Sequence, residues 1–148
     1  MNKQFYFDAT KAFLLKKIEV IEEALKETQS SANSDTKSSA GDKHETSRAM
    51  AHIENERLAG QLVVLQQQIE VLNKINPSIS SVVVSFGSIV KTESNTFFIS
   101  TGIGKVENNG KLFFAIASNS PIGKQMIGKV IGDKIVIGNS SQKIEKIL

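Results

Sequence analysis

The chain has 148 residues, a formal net charge of +3, and neither cysteine nor tryptophan. That length suits one domain or two small ones, and the composition excludes disulfides, thiolate metal sites and cysteine nucleophiles. The charge is uneven, with ten Lys/Arg against eleven Asp/Glu in residues 1–75 and eight Lys against four acids in residues 76–148, so only the second half is basic.

Residues 1–9 are expected to precede the first helix, with Phe5, Tyr6 and Phe7 packed near its base. From Thr10, Leu14, Ile18, Ile21 and Leu25 recur at steps of four, three and four, with charged residues around the rest of the wheel. This is the stripe of a helix that needs a partner. Residues 30–41 are Ser, Asn, Asp, Thr, Lys, Ala and Gly, which favour turns over helix, so the first helix is expected to fray there into a solvated linker.

A second, longer helix is expected from about Lys43 to Asn73. Leu58, Leu62, Leu65, Ile69 and Leu72 continue the heptad rhythm, and Met50 and Ile53 extend the apolar side toward the turn. Asn76-Pro77 ends it, because the residue before proline is pushed out of the α region. The two helices together predict an antiparallel coiled-coil hairpin over 1–76.

Between the helices stands Gly41-Asp42-Lys43-His44-Glu45-Thr46. Asp42 and Glu45 are three apart, so on a helix they share one side of a single turn. Two readings stay open. Asp at an N-cap with Glu three residues on makes a capping box. Two carboxylates so placed can also share magnesium, which commonly accepts only one or two protein carboxylates and leaves its other positions to water and phosphate. Lys43, His44 and Arg48 nearby are either a solvated basic patch or contacts for RNA phosphate. His44 has no second His at ligand spacing, since His52 is eight residues away.

After Pro77 the pattern shifts to short β-rich runs. Strands are expected at 81–84, 88–92, 96–100, 111–117, 134–137 and 143–148, with a hairpin turn at Asn109-Gly110. Ser120-Pro121-Ile122-Gly123 opens a short helix through Ile127, with Ser120 as its cap and Gly128 as its stop. The fold class is therefore α+β: a helical hairpin over 1–76 and a small antiparallel sheet with one helix over 77–148. Lysines spread singly across that second part suit an acidic protein surface at least as well as nucleic acid. No apolar run approaches the roughly 20 residues that cross a bilayer and no signal-peptide core opens the chain. A cytoplasmic monomer without a membrane partner is expected.

Across nearly its whole length the chain resembles the Gre family of bacterial transcript cleavage factors. The family's tip reads Gly-Asp-Leu-Lys-Glu-Asn, matched here at Gly41, Asp42 and Glu45. Its FKBP-like C-terminal domain is matched by Phe86-Gly87-Ser88-Ile89-Val90 and by Asn119-Ser120-Pro121-Ile122-Gly123, with Ile127-Gly128-Lys129 and Gly132-Asp133 following in register. The resemblance implies a factor that docks at the rim of the secondary channel of RNA polymerase through Asn119, Ser120, Pro121 and Ile122. Its acidic tip, Asp42 and Glu45, would help hold the second magnesium ion for cleavage of the nascent RNA 3' end. On that reading the isolated protein is no enzyme, needs no cofactor of its own, touches RNA through Lys43 and Arg48, and contacts other DNA or RNA only weakly. Lys43-His44 in place of Leu-Lys, Thr46 in place of Asn and the Ser-rich approach define an alternative, a channel factor that modulates or inhibits without cleavage. A prolyl isomerase is a third reading. It requires an aromatic-lined apolar pocket, and residues 76–148 offer phenylalanines but no Trp or Tyr.

Overall fold

The computed structural model describes the backbone of residues 2–35 and 41–148 and the side chains of residues 2–29 and 45–148. Two helices, α1 (Lys3–Asp35) and α2 (Gly41–Asn73), precede β1 (Ile89–Thr92), β2 (Thr96–Ser100), β3 (Gly104–Asn108), β4 (Lys111–Ala117), α3 (Pro121–Met126), β5 (Lys134–Ile137) and β6 (Ser140–Ile147). The chain divides into two compact units, Leu14–Gln67 and Met1–Phe13 with Gln68–Leu148.

The unit Leu14–Gln67 is a helical hairpin, and its seam is the stripe the heptad rhythm marks. Leu14 and Leu58 are buried, and Ile18, Ile21, Leu25, Leu62 and Leu65 are half-buried, while most residues between them are exposed. Met50 and Ile53 depart from the expectation: each is 66% exposed. The first helix carries no large apolar side chain beyond Leu25, so it offers them no large apolar partner.

Both helices are 33 residues long, not a short one against a long one. The first starts seven residues early because Asn2 caps it, its side-chain oxygen accepting from the Phe5 amide at 3.1 Å. Residues 5–7 thus belong to the helix. It also runs on through Ser30–Asp35, where the polar run was expected to fray. The linker reading of residues 36–39 lies outside the described residues.

In the other unit the six strands form one sheet in the order β3-β4-β2-β1-β6-β5. It is antiparallel except for β2 and β4, which run parallel from Phe97 opposite Phe114 to Ser100 opposite Ala117. That exception comes from β3, absent from the sequence-based strands. The chain leaves β2, forms β3 at the edge, turns at Asn109-Gly110 and returns as β4 between them. Both turn residues have positive φ, 51° and 75°, as a two-residue hairpin turn requires. The run expected as a strand at 81–84 makes only an isolated antiparallel bridge, Val83 to Val130. β6 starts at Ser140, earlier than expected, because its polar start hides a buried partner: Thr92 Oγ1 donates to Gln142 Oε1 at 2.6 Å.

The run Phe97-Phe98-Ile99 is buried on both faces of the sheet, which is why it reads as continuous apolar sequence. Phe97 and Ile99 join Val84, Val90, Met126, Ile135 and Ile144 on the α3 side. Phe98 pairs with Ala115 and so shares the opposite face with Phe113. There the ring of Tyr6 meets Phe113 edge-on at 5.1 Å, and a Cβ on Gly87 would lie 3.2 Å from Ile75. The base of the two helices thus covers the second face. At the β5 edge the amide of Gln125 bonds both backbone groups of Val136, occupying what would otherwise be an open strand edge.

Candidate functional site

The backbone is helical from Gly41 onward, which places Asp42 and Glu45 within one turn and on one side of α2. The capping-box reading turns on the side chain of Asp42 and on the residues before Gly41, and lies outside the described residues. Glu45 and Arg48 are exposed. The side chains of Asp42, Lys43 and His44 lie outside the described residues.

Farther along α2, the charges are spent on their own helix. Arg57 grips Glu54 through two nitrogens, a hydrogen bond that holds the Glu54 carboxyl below its ordinary range. His52 approaches Glu56 at 4.0 Å on the open surface. Among the described residues no group of three His, Asp or Glu side chains is placed to hold a metal ion. Should magnesium bind at the tip, Asp42 and Glu45 are the carboxylates this chain would offer it. The donor chemistry suits that ion, which keeps waters and phosphate oxygens as its remaining ligands.

The four residues expected to dock divide into two kinds. Ser120, with extended backbone (φ −70°, ψ 160°), accepts from the Gly123 amide at 3.1 Å and donates to the Ala117 carbonyl at 2.7 Å. It caps α3. Ile122 packs against the core cluster on the sheet. Only Asn119 and Pro121 are exposed. Gly123 holds the turn together, because a Cβ there would overlap the Ala117 carbonyl oxygen.

Beyond α3 the structure adds residues that the strand-by-strand reading did not single out. Gly128 donates to Val84 at 2.8 Å and Val84 to Lys129 at 2.9 Å, drawing the segment after α3 alongside the segment before β1. Val82 is 82% exposed and Ile131 58%, and Val83, Ile127 and Val130 beside them are exposed as well. Val83 and Val130 are brought together by an antiparallel bridge, and Lys124, Lys129 and Lys134 belong to the same unit. The one acid in this stretch, Asp133, accepts from the Val130 amide at 2.9 Å. The signal was present in the sequence as apolar residues without period-2 alternation. The Val83 to Val130 bridge and the two hydrogen bonds of Val84 show that the two segments meet.

No family model and no curated protein matches the chain. Among solved structures it is similar to that of the transcription factor Gfh1, at 20% identity and a TM-score of 0.36 over 90% of this chain and 88% of that one. So loose a likeness adds no weight to a function. Among the described residues no helix is long and apolar enough to cross a membrane.

Proposed function

We propose that the chain is a transcription factor of the Gre type, which binds RNA polymerase at its secondary channel and stimulates the polymerase's own cleavage of backtracked RNA. The observation that carries this reading is where the acidic pair falls. Asp42 and Glu45 stand at the start of the second of two paired helices, three residues apart, and in the matching order of a Gly-Asp-x-x-Glu tip. The Ser-Pro-Ile-Gly match opens α3, capped by Ser120, in a unit that exposes Val82, Val83, Val130 and Ile131 and carries more lysines than acids over residues 76–148, a chemistry that fits an acidic protein rim.

The chain's own part is positioning. Residues 42 and 45 fall within one turn of α2, where their carboxylates would add negative oxygens to a site whose remaining ligands would come from polymerase and RNA phosphate. Magnesium held there would supply a lowered water pKa and neutralisation of charge on the phosphate. Two carboxylates from one chain bind magnesium weakly, so the isolated protein has no nuclease activity.

The test is end-labelled RNA in stalled, backtracked polymerase complexes. Addition of the protein shortens the RNA, and Val82→Asp or Ile131→Asp raises the concentration needed without lowering the rate at saturation. If the protein binds the complexes and the RNA keeps its length, the factor occupies polymerase without promoting cleavage.

A further inference from the structure

The seam between the two helices of the hairpin unit changes character part-way along. Stepping back from Leu58 by three and then four residues, as the heptad rhythm requires, gives Asn55 and Ala51. Both are half-buried, so an amide and a methyl continue a row of leucines. On α1 the position three residues past Leu25 is Thr28, also half-buried. Its hydroxyl donates to the Ala24 carbonyl of its own helix at 2.9 Å, which leaves no proton for α2. The Oδ1 of Asn55 is buried and has no hydrogen-bond partner among the described residues. The large apolar side chains at this end of α2, Met50 and Ile53, are exposed instead of packed.

Closing the hairpin therefore has opposite consequences on the two sides of Leu58. On the side of Leu62 and Leu65 it removes apolar surface from water, which favours the closed state. On the side of Asn55 it removes a carbonyl oxygen from water and returns no hydrogen bond, which favours the open one. We propose that α2 on the Asn55 side of Leu58 opens transiently from α1 as a unit of its own while the leucine seam stays shut, and that Asn55 sets the boundary. Segments with few buried apolar contacts open at a lower free energy than the whole fold. An amide in a coiled-coil seam can fix register, but an amide that bonds nothing across the seam loosens it. This opening stands independently of the proposed function. On that function, Asp42 and Glu45 ride on the segment that opens, so the acidic pair adjusts its position against a fixed base.

Hydrogen exchange of the full chain, read by mass spectrometry, tests it. Amides of residues 50–57 are expected to exchange at least about a hundredfold faster than those of residues 60–70. Asn55→Leu extends the leucine row and slows exchange over residues 50–57 at least about tenfold, with residues 60–70 at their wild-type rates. His52→Leu, one turn away on the exposed side, is the control, because His and Asn have similar helix propensity and a gain from propensity alone would appear in both variants. It leaves the rates over residues 50–57 within about twofold of wild type. Equal protection along α2 in the wild-type chain overturns the proposal. So does an Asn55→Leu chain whose 50–57 amides exchange as fast as before, or a His52→Leu chain that slows them as much as Asn55→Leu does.

Discussion

The ring of Tyr6 stands edge-on to Phe113, centroids 5.1 Å apart and planes at 86°, so the first two turns of α1 are part of the covering of the sheet. Phe5 extends the stack at 5.3 Å from Tyr6, and Lys111 lies over the Phe5 ring at 5.1 Å. The start of the chain is thereby fixed on β4.

Tyr6 is the only tyrosine, which makes its ionisation directly observable. Burial pushes its hydroxyl above the ordinary range, so the native state holds that proton longer than the unfolded chain does. The stability it contributes is full below the unfolded-state value near 10 and is lost as pH rises through the native value. Ultraviolet titration of the folded protein is expected to give a tyrosinate midpoint above 10. A midpoint at or below that of a free tyrosine contradicts the packing of Tyr6 on Phe113.

Lys3 supplies the opposite sign in the same unit. It is 8% exposed, donates to the Ile79 carbonyl at 2.6 Å, and burial pushes its ammonium below the ordinary range. Here the unfolded chain binds the proton more tightly, so the contribution of Lys3 to stability rises with pH between the native value and about 10.4. Urea unfolding of Lys3→Met across that window is expected to lack this rise. A variant with the wild-type pH slope would show that Lys3 is solvated.

The α3 turn separates a cap from a steric lock. Ser120→Ala removes an N-cap and is expected to cost about 1 kcal/mol. Gly123→Ala forces a methyl against the Ala117 carbonyl, an overpacking that costs roughly 1–3 kcal/mol or more. Denaturant midpoints give the order directly. Equal, small losses in both variants would mean that the turn is loose.

Phe98 tests the two-faced sheet. It is fully buried in a strand with a layer on each side, and Phe98→Ala is expected to cost about 3–5 kcal/mol. Circular dichroism of the variant at rising urea checks it, and a loss under 1 kcal/mol would contradict burial on both faces.

Heptads and turn chemistry are local signals, and where the fold obeys them it was legible. The stripe from Leu14 to Leu25 and from Leu58 to Leu72, the Asn109-Gly110 turn and the Ser120-capped helix are all as read. The failures have non-local causes. β3 is short and carries Lys105, Glu107 and Asn108 around one buried residue, Val106, so it forms because β4 pairs with it. The polar opening of β6 is held by Gln142, whose partner Thr92 is fifty residues away. Asn2 was a local cap that the aromatic run after it obscured. At the acidic tip the three-residue spacing is legible in the sequence, and the side chain of Asp42 lies outside the described residues. In the segment Asn119 to Ile122, Ser120 and Ile122 are committed to the fold, and the meeting of Val83 with Val130 depends on contact between segments that are far apart in sequence.

Exchange of the tip carboxylates for neutral isosteres measures the proposed chemistry most directly. Asp42→Asn and Glu45→Gln, singly and together, enter the backtracked-complex reaction at saturating protein over a range of magnesium concentrations. The wild-type chain is expected to shorten the RNA, and each replacement to slow this at least tenfold while binding is kept, with part of the loss recovered at high magnesium. Shortening that proceeds at the wild-type rate without either carboxylate would contradict the account.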